Sequence, residues 1–551
     1  MTPSSRRGVG PVAAAGAAYA DPVLMAARVR ERLVTPLPTD RLWGWVGPLV
    51  ITAIAGVLRF WELGRPKAFI FDETYYAKDA WSLLNFGVEQ DYVKAADKDD
   101  PDPANVKILA GDLTDLWTGS PSYVVHPPGG KWVIAVGEQL FGFTPFGWRF
   151  MVALTGTLAV LMVARIGRRL FRSTSLGCTA ALLLTVEGLA YVHSRTALLD
   201  PLLMFWALAA FGALLIDRDR SRRRLADLLE RGEAGRGQFG RFGRFGRFGP
   251  SLGLRPWRIA AGAALGMACA TKWSGLWFVA VFGLMTVLWD VSARRTAGVP
   301  RPWVGTLLRD AGPAFASVVP VALAVYLASW TGWFVGGEDA YLRDWAATNP
   351  GTALVPDALR SLWHYHVEAW RFHTGLNSFH SYRSNPWGWM VLARPVSYYY
   401  EDPKLGRQGC EVDQCSQAIT ALGTPVIWWG GVLALAVLLV LWAGRRDWRA
   451  GAVLAGVAAG YLPWFFFQDR TVYSFYAVAF VPYVVLAITM CLGLVLGRPG
   501  ASPQRRQWGA AFAGAYVLLA VANFTWLLPV LSAEVIPYAD WARRMWWKSW
   551  I

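Results

Sequence analysis

Long apolar runs alternate with short polar segments along most of the chain. The runs are Leu42 to Phe60, Phe146 to Ile166, Leu176 to Val192, Leu202 to Ile216, Ile259 to Ala270, Leu276 to Trp289, Ala311 to about Trp333, Pro425 to Trp442, Val453 to Phe467, Phe475 to Leu496 and Trp508 to Leu528. Crossing a bilayer as a helix takes roughly 20 residues. The pattern therefore predicts an all-α polytopic membrane protein with about eleven transmembrane helices. Two polar stretches, 61–145 and 334–424, are large enough to be loops with structure of their own. Trp132 to Phe141 reads as a short interfacial helix, and Lys94 to Asp115 as a flexible or surface segment. Residues 1–40 read as a disordered tail, 41–528 as the membrane domain and 529–551 as a Trp-rich tail.

Charge fixes the expected orientation. Arginine pairs and clusters follow the second, fourth, sixth, eighth and tenth runs: Arg168-Arg169, the basic loop 218–258, Arg294-Arg295, Arg445-Arg446 and Arg505-Arg506. By the positive-inside rule these ends are cytoplasmic, as is the N-terminus. Both large loops, the corners at Arg195, Lys272 and Arg470, and the C-terminal tail then fall outside, with the tail in the headgroup layer. The chain of 551 residues is 54% hydrophobic, with 31 Trp and a net charge of +16. That excess of basic groups sits between apolar runs and carries no recognisable nucleic-acid module, so no nucleic-acid partner is expected. The Phe-Gly-Arg repeat from Phe239 to Gly249 reads as a solvated linker or an interaction tail. Cys178, Cys269 and Cys491 lie in apolar runs, whereas Cys410 and Cys415 share a polar loop and are candidates for a disulfide if it is extracytoplasmic.

The outer face gathers Asp72, Glu73, His126, Lys131, Arg195, Asp200, Lys272 and Arg470, each near the end of an apolar run. Charges in hydrocarbon cost on the order of 2.5–3.5 kcal/mol each on insertion scales, so their grouping suggests an anionic substrate at the interface. Asp72 and Glu73 are the candidates for general-base work on a hydroxyl; a helix N-terminal pair or a solvated turn is the plain alternative. Arg195, Lys272, Arg470 and Lys131 suit a phosphate, as forks or point charges; each could instead snorkel to headgroups, and Arg195 could pair with Asp200. His126 is either a ligand, a proton donor or a structural histidine. His364, His366, His373 and His380 share the second loop without metal-type spacing, so a divalent metal is not indicated and no obligatory cofactor is expected.

Taken together the motifs resemble the protein O-mannosyltransferase family, GT-C type membrane glycosyltransferases that use polyprenyl-phosphate sugars. Arg59, Pro66 and Phe71-Asp72-Glu73 are similar to its first-loop signature, and His126-Pro127-Pro128-Gly129-Gly130-Lys131 to its His-Pro-Pro-x-Gly-Lys motif. Ser194-Arg195 through Leu198-Leu199-Asp200, Thr271-Lys272-Trp273-Ser274-Gly275 and Arg470 through Tyr476 resemble three further corners. Tyr75 and Phe475 stand where the fungal and animal enzymes have histidine, and 336–424 has no room for their β-trefoil, so the bacterial, actinobacterial-type branch fits better. The resemblance implies transfer of mannose from polyprenyl-phosphate mannose to Ser or Thr of a secreted protein, with inversion, at the extracytoplasmic face of the plasma membrane. It implies Asp72 as base, Glu73 in support, Arg195, Lys272, Arg470 and Lys131 at the donor phosphate, and Arg59, His126 and Asp200 as supporting residues. Its partners would be the lipid-linked donor, the acceptor polypeptide, membrane lipid and the secretion machinery. Transfer of another sugar to a lipid or glycan is one alternative. A transporter of lipid-linked or anionic solute is the other, against which stands the lack of a repeat between halves.

Overall fold

The computed structural model describes residues 22–95, 102–234, 246–351, 354–498 and 500–551. The elements run as follows: α1 (Pro22–Leu33), α2 (Trp43–Phe60), α3 (Glu73–Phe86), α4 (Pro103–Ala110), α5 (Gly129–Phe141), α6 (Pro145–Phe171), α7 (Thr174–Thr185), α8 (Gly188–His193), α9 (Leu199–Ala234), α10 (Pro256–Thr271) and α11 (Gly275–Thr296). Next come α12 (Pro302–Thr306), which continues through a π turn into α13 (Gly312–Ser329), then α14 (Thr331–Val335), α15 (Trp345–Thr348) and α16 (Asp357–Gly375). The chain closes with α17 (Pro425–Arg445), α18 (Trp448–Tyr461), α19 (Val481–Leu496), α20 (Pro503–Leu531) and α21 (Tyr538–Arg544).

Among the described residues eight helices are long and apolar enough to cross a membrane, against the eleven expected. The other three apolar runs form shorter helices. The run Leu176 to Val192 breaks at Glu187, an acid inside the apolar stretch. Its carboxylate accepts from the amides of Leu189 and Ala190 to start α8 and from Trp428 Nε1 at 2.8 Å. A buried carboxylate with several donors is satisfied, so the chain tolerates it there. The runs at 259–270 and 453–467 become α10, with 16 residues, and α18, with 14 residues followed by a 3-10 turn. The fourth run is longer than expected, since α9 continues to Ala234.

Several described parts of the tails and loops are more ordered than their composition suggested. Pro22–Leu33 is helical rather than disordered, and Arg30 Nη1 ties it to Asp227 and Glu230 on α9 at 2.7 and 2.8 Å. The stretch 94–115 contains α4, started by Asp102 as N-cap, and Lys78 of α3 binds Asp102 at 2.8 Å. Two small antiparallel sheets supplement the helices. β1 (Gln90–Tyr92) pairs with β2 (Trp117–Pro121) in the first loop. In the second, β3 (Val396–Glu401) pairs with β4 (Cys415–Ala421), and Cys410 and Cys415 are disulfide-bonded. The C-terminal segment then adds β5 (Val535–Pro537) to β4, with Cys415 opposite Pro537. Trp550 is buried and donates from Nε1 to Leu392 O at 2.7 Å, so part of the tail is built into the second loop rather than lying free in headgroups. Trp546 and Trp547 remain about half exposed.

Candidate active site

The site forms where α3, α5, α9 and the α10–α11 corner converge. Gly129 and Gly130 allow this approach. A Cβ on Gly129 would sit 2.7 Å from Ala270 Cβ, and one on Gly130 2.7 Å from Leu199 Cδ2. Only hydrogen fits at these two positions, so α5 can lie against the ends of α9 and α10 that carry Asp200 and Lys272.

Asp72 stands at the N-cap of α3, where an aspartate ordinarily accepts from the helix amides. Here its side chain makes no capping hydrogen bond. Its own backbone accounts for this: at φ −71° and ψ 0° Asp72 is helical, whereas a capping residue is extended. Phe71 before it has φ +51°, a left-handed backbone that costs a non-glycine residue on the order of 1–3 kcal/mol. Phe71's ring stacks on Tyr398 at 4.6 Å and meets Phe475 edge-on at 5.5 Å, which holds that conformation in place. The hydrogen bond to the Asp72 carboxylate comes from Tyr76, one turn on. Burial pushes its pKa up to about 6; Asp200 adds to the rise and Lys272 opposes it.

Glu73 is fully buried, and its two oxygens receive four hydrogen bonds. Oε1 accepts from Arg149 Nε at 2.8 Å and Ala197 N at 2.9 Å; Oε2 accepts from Arg149 Nη2 at 2.8 Å and Ile70 N at 2.9 Å. Arg149 in turn donates to the carbonyls of Leu63, Pro66 and Ala68. The pair therefore ties the loop entering α3 to α6 and to the corner before α9.

The cations differ in how much of their charge is already used. Lys272 Nζ binds both Asp200 oxygens, at 2.9 and 2.8 Å, and lies 4.5 Å from the centre of the Tyr476 ring. Lys131 Nζ sits between Glu89 (2.8 Å) and Asp79 (3.1 Å). Arg195 donates to the carbonyls of Leu58, Arg59 and Trp61 at 3.2, 2.9 and 2.6 Å, so it closes the C-terminal end of α2. Arg59 is buried against the carbonyls of Ala55 and Leu184. Arg470 has no acidic partner among the described residues: Nη2 reaches His373 Nδ1 at 3.4 Å, and its buried Nε is unpaired. His373 Nε2 contacts Val125 O at 2.8 Å. That tautomer leaves Nδ1 as an acceptor for Arg470, and burial with the nearby Arg470 and Lys272 charges lowers the His373 pKa to about 4. His126, whose ring lies 5.1 Å from that of His373, is held well below its usual range by burial and by Lys272. Both histidines are neutral near pH 7. Among the described residues no group of His, Cys, Asp and Glu is placed to hold a metal ion.

A narrow cleft of about 10 Å³ lies beside Asp200, room for about one water, with Tyr476, Trp464 and Ser274 at its polar end and Leu203, Phe278 and Gly460 along its apolar walls. Trp464 stacks on Tyr476 at 4.6 Å.

Residues 49–225 match the family described as dolichyl-phosphate-mannose-protein mannosyltransferase, and residues 358–550 match the C-terminal four-transmembrane region of protein-O-mannosyltransferase. The polyprenol-phosphate-mannose–protein mannosyltransferase of Mycolicibacterium smegmatis is 42% identical over 526 residues, covering 93% of this chain and 94% of its own. Its counterpart in Mycobacterium tuberculosis is 41% identical over 530 residues, covering 93% of each chain. This chain belongs to that family. A third member, from Corynebacterium glutamicum, is 34% identical over 91% of this chain and 92% of its own. The fold is similar to that of the S. cerevisiae protein O-mannosyltransferase Pmt1–Pmt2 complex bound to the sugar donor, with a TM-score of 0.69, 14% identity and 95% and 94% of the two chains covered. The mannosyltransferase is thus a helical, multi-pass membrane glycosyltransferase.

Of the residues singled out from its sequence, the mannosyltransferase brings Asp72, Asp200 and Lys272 within electrostatic reach of one another, and His126 joins Lys272 and Arg470. Arg195 and Arg59 lie instead against backbone carbonyls and the Tyr191 ring. Arg149 and Tyr76 have no role in the sequence reading, where His373 stands only among the second-loop histidines and Tyr476 only as the end of the Arg470–Tyr476 corner. The signal for Arg149 was present: an arginine one turn into the run Phe146 to Ile166 must have a partner. Nothing local marks Tyr76 among the many aromatic residues of the chain.

Proposed function

We propose that the enzyme transfers mannose from polyprenyl-phosphate mannose to Ser or Thr hydroxyls of a secreted polypeptide, with inversion, at the extracytoplasmic face of the plasma membrane. The observation that carries this reading is the Asp72 carboxylate, unused as a helix cap and raised to about 6 within reach of Lys272. The acceptor hydroxyl gives its proton to Asp72, its oxygen bonds to the anomeric carbon, and the bond from that carbon to the phosphate oxygen breaks. Polyprenyl phosphate departs as an anion, so no general acid is required and cationic stabilisation is the larger need. Arg470, without an acid partner among the described residues, and Lys272, paired with Asp200, are the cations we assign to the phosphate. Arg195 and Lys131 act one step back in this reading, by fixing the end of α2 and the start of α5. Glu73 positions: with both oxygens committed to Arg149 and two amides, it holds the loop that presents Asp72. Inversion follows from a single displacement with one available base and no second carboxylate acting as nucleophile.

We further propose that α7–α8, α10 and α18 with its turn complete eleven crossings. The N-terminus and the arginine-rich ends are then cytoplasmic, and both large loops lie outside with the site. The positive-inside rule supports this orientation. Thiol labelling of single cysteines placed in the 218–234 segment and in the second loop tests it in sealed cells. Outside labelling of the 218–234 position would reverse the orientation.

A further inference from the structure

The end of the bundle far from Asp72 holds a second concave site that the transfer reaction does not use. Asp200 and Arg218 lie on the same helix, α9, 18 residues apart, which is about 27 Å of helix. Around Arg218, on the middle of α9, the ends of α1, α6, α11 and α17 surround a cavity of about 240 Å³, lined by Arg32, Arg172, Arg218, Arg222 and Arg446 with Asp219 as its one acid. That acid is already shared, since Arg169 and Arg172 bind it at 2.6 and 3.0 Å and Arg218 approaches it at 3.6 Å. Neither Arg32 nor Arg446 has an acidic partner among the described residues. Arg218 and Arg222 are each only 6% exposed, and the Nε of each is buried without a hydrogen-bond partner. Arg218 lies flat over the Trp448 ring at 3.3 Å, which fixes its guanidinium plane, and Arg222 Nη2 is anchored on Ser292 at 3.0 Å. Solvated arginines that only meet headgroups keep their forks in water. Here two are held rigidly inside a pocket, with donors unfilled and several like charges uncompensated.

We infer that this pocket is a binding site for a phosphate group at the membrane surface opposite the active site. Planar arginine forks match phosphate oxygens, and basic pockets between helices at a membrane surface suit the headgroups of anionic phospholipids. The walls include Arg32 and Thr35, beside the end of α1, which docks on α9 through Arg30. Occupancy would therefore clamp the N-terminal helix to the bundle.

The test uses the full chain in nanodiscs of phosphatidylcholine, with phosphatidylglycerol titrated in one arm and inorganic phosphate in the other, and reads the melting temperature. A rise with phosphatidylglycerol at fixed ionic strength, weakened about 30-fold in half-saturating concentration by the double variant Arg222→Gln/Arg446→Gln, is the expected result, at about fivefold per arginine near an anionic surface. A rise with millimolar inorganic phosphate, equally sensitive to the variant, supports the same site with a soluble phosphate compound as its ligand. The double variant Arg32→Gln/Arg446→Gln, which changes only exposed positions, repeats the comparison should the first fail to fold. No rise in either arm, or a rise that both variants retain, overturns the inference.

Discussion

As the proposed base, Asp72 would owe its reactivity to where its neighbours put it. An N-cap aspartate that bonded the α3 amides would be a poor base; the helical backbone of Asp72 keeps it from those amides and leaves Tyr76 as its donor. Its value of about 6 gives two opposed pH dependences. Activity, which needs the carboxylate, should rise from pH 5 to 7 with an inflection near 6, read as kcat/KM for the acceptor. His126 and His373, held low, add no falling limb in that window. For stability the sign is reversed. The folded-state value lies above the ordinary 3.8, so Asp72's contribution is complete below 3.8 and is lost as pH rises to about 6. Glu73 behaves differently, as half of a fully buried pair. Glu73→Gln leaves Arg149 as an uncompensated buried charge and is expected to cost about 3–5 kcal/mol, visible as a large fall in melting temperature. A loss of activity without loss of stability in that variant would return Glu73 to the chemistry itself. At Arg470, removal of one cation from the developing phosphate charge should lower kcat/KM for the donor by about 10²–10³ in Arg470→Met, with the fold intact. The sequence showed which residues were charged near membrane ends. It did not show which were already paired, because Lys131 with Asp79 and Glu89, or Arg195 with the end of α2, are contacts between segments far apart in the chain.

At the scale of elements, the apolar runs predicted most helices to within a few residues, and the polar corners at Ser194 to Pro201 and Thr271 to Gly275 separate helices as expected. The differences have physical causes. Glu187 splits one run because its carboxylate finds backbone donors that a straight helix could not offer. The tail joins the second loop as β5, a pairing between residues more than a hundred positions apart that leaves no local periodicity. The His-Pro-Pro-Gly-Gly-Lys turn gains its meaning only here, since its glycines are what let α5 touch α9 and α10. Gly129→Val should therefore separate α5 from Ala270, cost about 1–3 kcal/mol and lower turnover more than donor affinity, checked by melting and by the KM-against-kcat split.

Over the whole molecule, the ends of the helices divide the labour. One end carries the acids, Arg470 and Lys272; the other carries the arginine-rich ends of α6, α9, α11 and α17, with buried pairs such as Arg255 with Asp217 and Arg294 with Asp310. A lipid-linked donor and a peptide acceptor meet at a boundary between lipid and water only if one end of the bundle is specialised in this way. The most direct measurement is transfer of labelled mannose from polyprenyl-phosphate mannose to a Ser/Thr peptide by the purified protein in lipid. Wild-type protein should label the peptide, and Asp72→Asn, folded and at least as stable at pH 7, should leave it unlabelled. Label on the peptide from the folded Asp72→Asn protein, or none from wild type with intact donor, would contradict the assignment of Asp72 as the base of a protein mannosyltransferase.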